Sequence, residues 1–270
     1  MRQTQIWKPF DTMDSLLPKF APLLAAATAS DITSDPTLSG RLVLETAGPI
    51  QVSYAPFDHL NPAARIVLVG LTPGRQQAVN ALVEASRQLK PGAPIEVADK
   101  AAKETASFSG LMRSNLVDIL DHVGVAKWLG ITSCSDLFVR AASLVHYTSA
   151  LRYPVFVSGQ NYSGSPALKS TPILAGMVTR YLAEEARSLP GAVWVPLGPA
   201  ATSAVQMLVD RKALDGRRVL DGLPHPSGAN GERIAYFLGR KEKAALSTKT
   251  NAGLLDVART EILRRMGNMA

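Results

Sequence analysis

A chain of 270 residues, 46% of them hydrophobic, carries enough apolar matter for one sizeable core, and a single domain over 1–270 is the economical reading. No run reaches the roughly 18 uninterrupted apolar residues of a membrane span, and the lone cysteine, Cys134, excludes an intrachain disulfide and a cluster held by several thiolates. The formal net charge of +7 fits a phosphate-rich partner without demanding one.

The first apolar segment, 14–29, reads as a helix with Pro18 and Pro22 near its start. Those prolines and Lys19 interrupt it, so it is not read as a signal peptide, and a cytoplasmic protein is expected. Segments 41–46 and 51–55 alternate around Gly48-Pro49 and predict a hairpin. The run RIVLVG at 65–70 predicts a strand buried on both faces.

Helical periodicity follows at 76–89, stopped by Pro91-Gly92, and again at 111–123, stopped by Gly124. Strands are expected at 137–145, 155–157 and 193–197, with helices at 172–188 and 199–208. Segment 219–223 then leads into HPSGAN at 225–230, and helices are expected over 232–246 and 248–266. Alternating strands and helices imply an α/β fold with a mostly parallel central sheet and helices on both faces. In such sheets ligands bind beyond the carboxyl ends of the strands.

Two loops stand out. GLTPG at 70–74 fits an ordinary strand-to-helix turn, with glycine for backbone freedom and proline to fix the path. It carries neither a phosphate-loop GK[ST] nor a dinucleotide GxGxxG. HPSGAN puts an imidazole on a stiff backbone; alone, His225 is as well explained by a bond to a loop carbonyl. The other histidines, His59, His122 and His146, lack metal-ligand spacing, so no metal and no cofactor are expected.

Together, Gly70-Leu71-Thr72-Pro73-Gly74 and His225-Pro226-Ser227, about 150 residues apart, resemble the paired loops of the uracil-DNA glycosylase superfamily. SFSGLMRSNLVDIL at 107–120 is similar to the segment bearing that family's base-stacking phenylalanine, here Phe108, and VWVPLGPAATSAVQML at 193–208 to its penultimate strand, turn and helix. The resemblance covers about 65–237.

It implies a three-layer α/β/α fold and a metal-free, monofunctional DNA glycosylase that removes uracil or another deaminated base. It further implies that the chain works as a monomer on single- or double-stranded DNA. His225 would donate to the departing base, and Thr72 would occupy the water-positioning place. Phe108, Gly70 and Leu71 would line the base pocket, with Ser143 or Asn161 reading the base edge. Pro73, Gly74, Arg75, Ser227, Gly228, Asn230 and Arg233 would meet DNA, and Arg240 and Lys241 are further candidates for phosphate contact.

The chain departs from the pattern in three places. Thr72 offers no basic side chain, Ser143 stands where an amide is usual, and Ala229 is a poor wedge for duplex DNA, which leaves that part to Arg233. The departures keep a second reading open, a catalytically silent nucleic-acid binding member. A third, with Ser227 as a hydrolase nucleophile and His225 as its base, lacks the strand-elbow context of GxSxG.

Overall fold

A computed structural model describes residues 15–108 and 110–269. In chain order the elements are α1 (Leu17–Ala26), α2 (Ala29–Ser34), β1 (Val43–Ala47), β2 (Ile50–Ser53), β3 (Ile66–Gly70), α3 (Arg75–Leu89) and α4 (Ile95–Ala106). Then come α5 (Leu111–His122), α6 (Val125–Leu129), β4 (Val145–Ser149), β5 (Val155–Val157), β6 (Gln160–Asn161), α7 (Pro172–Met177) and α8 (Ala183–Ser188). The last are β7 (Val193–Pro196), α9 (Pro199–Asp210), α10 (Gly231–Phe237) and α11 (Ala252–Gly267).

The centre is a parallel sheet in the order β4-β3-β7. β3 pairs Ile66 with Val145 through Gly70 with Ser149 on one side, and Ile66 with Val193 on the other. Its four apolar residues Ile66–Val69 are fully buried, as a continuous apolar run in a covered parallel sheet requires. Alternation sends Val67, Val69 and Trp194 to one face, where α3, α4, α7, α8 and α9 bury them. Ile66, Leu68, Val195 and Tyr147 go to the other, against α5, α6, α10 and α11. The molecule is therefore mixed α/β, with helices on both faces of a parallel sheet. Among the described residues no helix is long and apolar enough to cross a membrane.

The expected hairpin forms, but with β5 and β6 it builds a separate antiparallel sheet, β1-β2-β5-β6. The helix over 172–188 is present with a π-type turn at Val178–Leu182. Four expectations need correction. The strand over 137–145 lies later, at Val145–Ser149. The segment before it turns in two short 3-10 stretches because Asp121 caps it, accepting from the Cys134 N–H and the Ser133 hydroxyl at 2.7 Å each.

The N-terminal helix breaks after Ala26, and α2 starts afresh at a Thr28–Asp31 capping box; Asp14 lies outside the described residues. The helix expected over 232–246 stops at Phe237, where Gly239 adopts φ +70°, and the next begins only at Ala252, capped by Asn251 accepting from the Leu254 N–H. Segment 219–223 contributes a single parallel bridge, Val219 to Trp194. The Ala-rich α4 was not anticipated.

Candidate functional site

The parallel register brings the carboxyl ends of β3, β4 and β7 to one edge of the sheet, and a cleft of about 1340 Å³ opens there. Both signature loops line it: Gly70, Leu71, Thr72, Pro73 and Gly74 from one, His225, Ser227 and Asn230 from the other, with Phe108 and Asn161 between and Arg233 at its rim.

His225 is positioned from three directions. Its Nδ1 accepts the Ser227 N–H at 3.2 Å. An imidazole accepting at Nδ1 is neutral and carries its proton on Nε2, and burial pushes its pKa down in the same sense. Pro226, which links it to Ser227, is held by Asn115 of α5, whose Nδ2 donates to the Pro226 carbonyl at 2.9 Å. Gly198, with φ +86°, lets the turn between β7 and α9 approach the ring, since a Cβ there would lie 3.1 Å from the His225 Cβ.

Phe108 is 6% exposed and has a backbone φ of +47°, a conformation rare for a bulky side chain. Its ring lies across the end of β3, 3.8 Å from where a Cβ on Gly70 would stand, and meets Tyr147 at 6.0 Å between centroids. A Cβ on Gly70 would thus meet the Phe108 ring at ordinary van der Waals distance.

Thr72 lines the cleft, yet its hydroxyl is engaged. Oγ1 donates to the Tyr153 carbonyl at 3.1 Å and accepts from the Val155 N–H at 3.2 Å. The side chain staples the first loop to the chain entering β5. Asn161 likewise spends its carbonyl oxygen on the Arg75 N–H at 2.9 Å, satisfying one free donor of the first turn of α3.

Other expectations are not met. Ser143 does not reach the cleft: it lies before β4, at the opposite end of the strand, beside a separate cavity of about 220 Å³ with His59 and His146. The strand starts eight residues later than the periodicity suggested, so its carboxyl end presents Thr148 and Ser149 to the cleft instead. Arg75 and Gly228 do not line the cleft; the Arg75 guanidinium lies 5.2 Å from the centroid of the Phe156 ring. Arg240 pairs with Asp118 at 2.7 Å and Lys241 with Glu232 at 2.8 Å, so both cations already face carboxylates. Arg233 instead donates to Asn230 Oδ1 at 2.7 Å and the Lys249 carbonyl at 3.1 Å, while Asn230 Nδ2 donates to Ser227 Oγ at 3.0 Å.

A buried ionic group beside the cleft leaves no local sign in the chain. Arg152 and Lys103, both lining it, are 4% and 3% exposed. Arg152 donates to Glu185 at 2.5 Å, and Lys103 to the His59 carbonyl at 2.6 Å. Burial opposes the charge on Glu185, but Arg152, the His146 imidazole and Lys103 outweigh it and hold the carboxyl well below the usual range. Burial drops Lys103 to about 8 and His146 to about 4. These groups are scattered along the chain at 103, 146, 152 and 185, and only the fold assembles them. Among the described residues no three His, Cys, Asp or Glu side chains group as metal ligands.

Comparison with known proteins gives one family. Over 239 residues, 87% of this chain and 91% of its counterpart, the sequence is 34% identical to the uncharacterized protein YoxB of Bacillus subtilis (strain 168). The chain belongs to the family of that protein. No family model matches the sequence, and no solved structure matches the fold.

Proposed function

We propose that the protein is a monofunctional DNA glycosylase of the uracil-DNA glycosylase type, hydrolysing the bond between deoxyribose and uracil or another deaminated base. The observation that carries the reading is the state of His225. A neutral imidazole with Nδ1 occupied as acceptor has its Nε2 proton free to donate, and it lines the same cleft as Phe108 and the first loop. Breaking the glycosidic bond leaves negative charge on a carbonyl oxygen of the base. A fixed donor aimed at that oxygen, once the bound nucleotide excludes water, stabilises such charge by roughly 3–4 kcal/mol.

In this reading the flipped nucleotide enters the cleft and its ring stacks on Phe108. The Thr148 and Ser149 hydroxyls face its edge, and Ser227, Asn230 and Arg233 meet the backbone. Helices on both faces of a parallel sheet, with both loops at its carboxyl edge, fit the three-layer fold that the resemblance implies. The positive net charge suits the partner.

One observation favours a second reading, a nucleic-acid binding protein without catalysis: the Thr72 hydroxyl is bonded to backbone on both sides, leaving little of it to orient water. Single-turnover assays on oligonucleotides containing uracil, hypoxanthine or xanthine separate the two. Release of any of these bases, lost in His225→Ala, supports the glycosylase. Tight binding to an abasic-site analogue with no release from any substrate supports the silent binder.

A further inference from the structure

Helix α5 stands between the two halves of the site and bonds to both. Arg113, in its first turn, donates from Nε to the Phe108 carbonyl at 3.4 Å and from Nη2 to the Ser107 carbonyl at 3.2 Å. Its guanidinium lies 4.5 Å from the centroid of the Phe138 ring. Phe138 stacks on Tyr147 at 5.3 Å, and Tyr147 meets Phe108. The contacts close a circuit: Arg113 holds the Phe108 backbone directly and reaches its ring through two aromatics. That circuit offsets the cost of a left-handed backbone at an aromatic residue.

Two residues further on, Asn115 donates to the Pro226 carbonyl. Residues two apart on a helix point to nearly opposite sides, so one helix reaches both loops. The Pro226 carbonyl belongs to the same planar peptide unit as the Ser227 N–H, which donates to His225 Nδ1. Fixing one end of that unit fixes the plane of the other, and hence the donor that holds His225 in its Nε2–H form.

We propose that α5 is a strut that sets Phe108 and His225 relative to each other, with Arg113 positioning the stacking ring and Asn115 positioning the imidazole. What the strut serves rests on the glycosylase reading; that it holds both loops does not.

The test is Arg113→Met, which keeps the aliphatic stem, and Asn115→Ala, with Arg113→Lys as the conservative variant. Two readouts are taken on the full chain: KM and single-turnover rate on a uracil oligonucleotide, and amide hydrogen exchange by segment. Losing one positioning hydrogen bond is worth about a fivefold to tenfold effect. Arg113→Met is expected to raise KM by about that factor with the single-turnover rate within about twofold, and Arg113→Lys to restore part of it. Asn115→Ala is expected to lower the single-turnover rate by the same factor with KM kept.

Exchange should quicken only over 107–112 in the first variant and only over 225–231 in the second. Changes in KM and rate that are alike for both variants, or exchange that quickens over the whole chain or in neither segment, overturn the strut. If the wild type releases no base, the glycosylase reading fails, and the exchange pattern alone decides the strut.

Discussion

Gly198 and His225 sit so close that a side chain at 198 would press the imidazole aside by a few tenths of an ångström: a Cβ would lie 3.1 Å from the His225 Cβ and 3.3 Å from Cδ2. Gly198 also has φ +86° and ψ 167°, a region that is essentially glycine's alone. Gly198→Ala is therefore expected to cost about 1–3 kcal/mol in stability and, because the ring must move, to lose base release more completely than it loses fold. Gly176→Ala on α7, where a Cβ meets nothing within 4 Å, serves as the control. Urea unfolding together with single-turnover release checks both. A Gly198→Ala variant with wild-type release would mean that the aim of the imidazole does not matter.

Thr72 and His225 should divide structural and chemical work. The Thr72 hydroxyl makes two bonds to backbone across the first loop, each worth about 1 kcal/mol. Thr72→Val, isosteric but without the hydroxyl, is expected to lower stability by about 2 kcal/mol and to slow release only a few-fold. Thr72→Ser should restore the stability. His225→Ala should reduce release by about 10²–10³ with little change in the urea midpoint. Comparable losses of rate from Thr72→Val and His225→Ala would reject the division.

Much of this was readable beforehand, and the residues show where reading stopped. RIVLVG and VWVP announced buried strands because a parallel sheet covered on both faces needs uninterrupted apolar runs, and the two loops followed from their glycine, proline and histidine signatures. β4 was misplaced because VHYTS does not look apolar. His146 is buried there with the Asn61 N–H on Nδ1 at 3.4 Å and Glu185, thirty-nine residues later, 3.4 Å from Nε2, tertiary facts that leave no local trace. Ser143 therefore stands before the strand, and Ser149 holds the carboxyl end that faces the cleft. Asn115 and Arg113 carry no signal in the sequence because their partners are backbone carbonyls, which sequence does not display.

The same buried group predicts an acid sensitivity. His146 is 1% exposed, and burial, with Lys103 nearby, lowers its pKa from 6.5 to about 4. Between those values the unfolded chain holds a proton that the folded chain refuses, so stability falls as pH drops from about 6.5 to about 4 and this loss levels off below. The window corresponds to about 3 kcal/mol. Urea unfolding at pH 7 and pH 5 samples the upper part of that window, about 2 kcal/mol of it. His146→Gln, uncharged at both values, should show a smaller difference between them than the wild type, and an unchanged difference would assign the sensitivity to other groups.

Arg233 is the cation expected to meet DNA. Nearness to the two loops in sequence nominates Arg75, Arg233, Arg240 and Lys241; Arg75 lies off the cleft against Phe156, and the surroundings of the other three differ. Arg240 and Lys241 face Asp118 and Glu232, and giving up those partners to a phosphate would gain little. Arg233 lies at the rim of the cleft with its donors on Asn230 and the Lys249 carbonyl, and no carboxylate pairs with it among the described residues. A cation that neutralises a phosphate releases a condensed counterion, and each such contact contributes about one unit to the slope of log K against log salt. Arg233→Ala should thus lower that slope by about one, while Arg240→Ala and Lys241→Ala leave it unchanged. Fluorescence anisotropy on an abasic-analogue oligonucleotide, titrated over a range of salt concentrations, gives the three slopes. Equal reductions from all three would mean that DNA contacts a broad basic surface rather than the rim of the cleft, and a wild-type affinity indifferent to salt would remove the electrostatic part of the proposal.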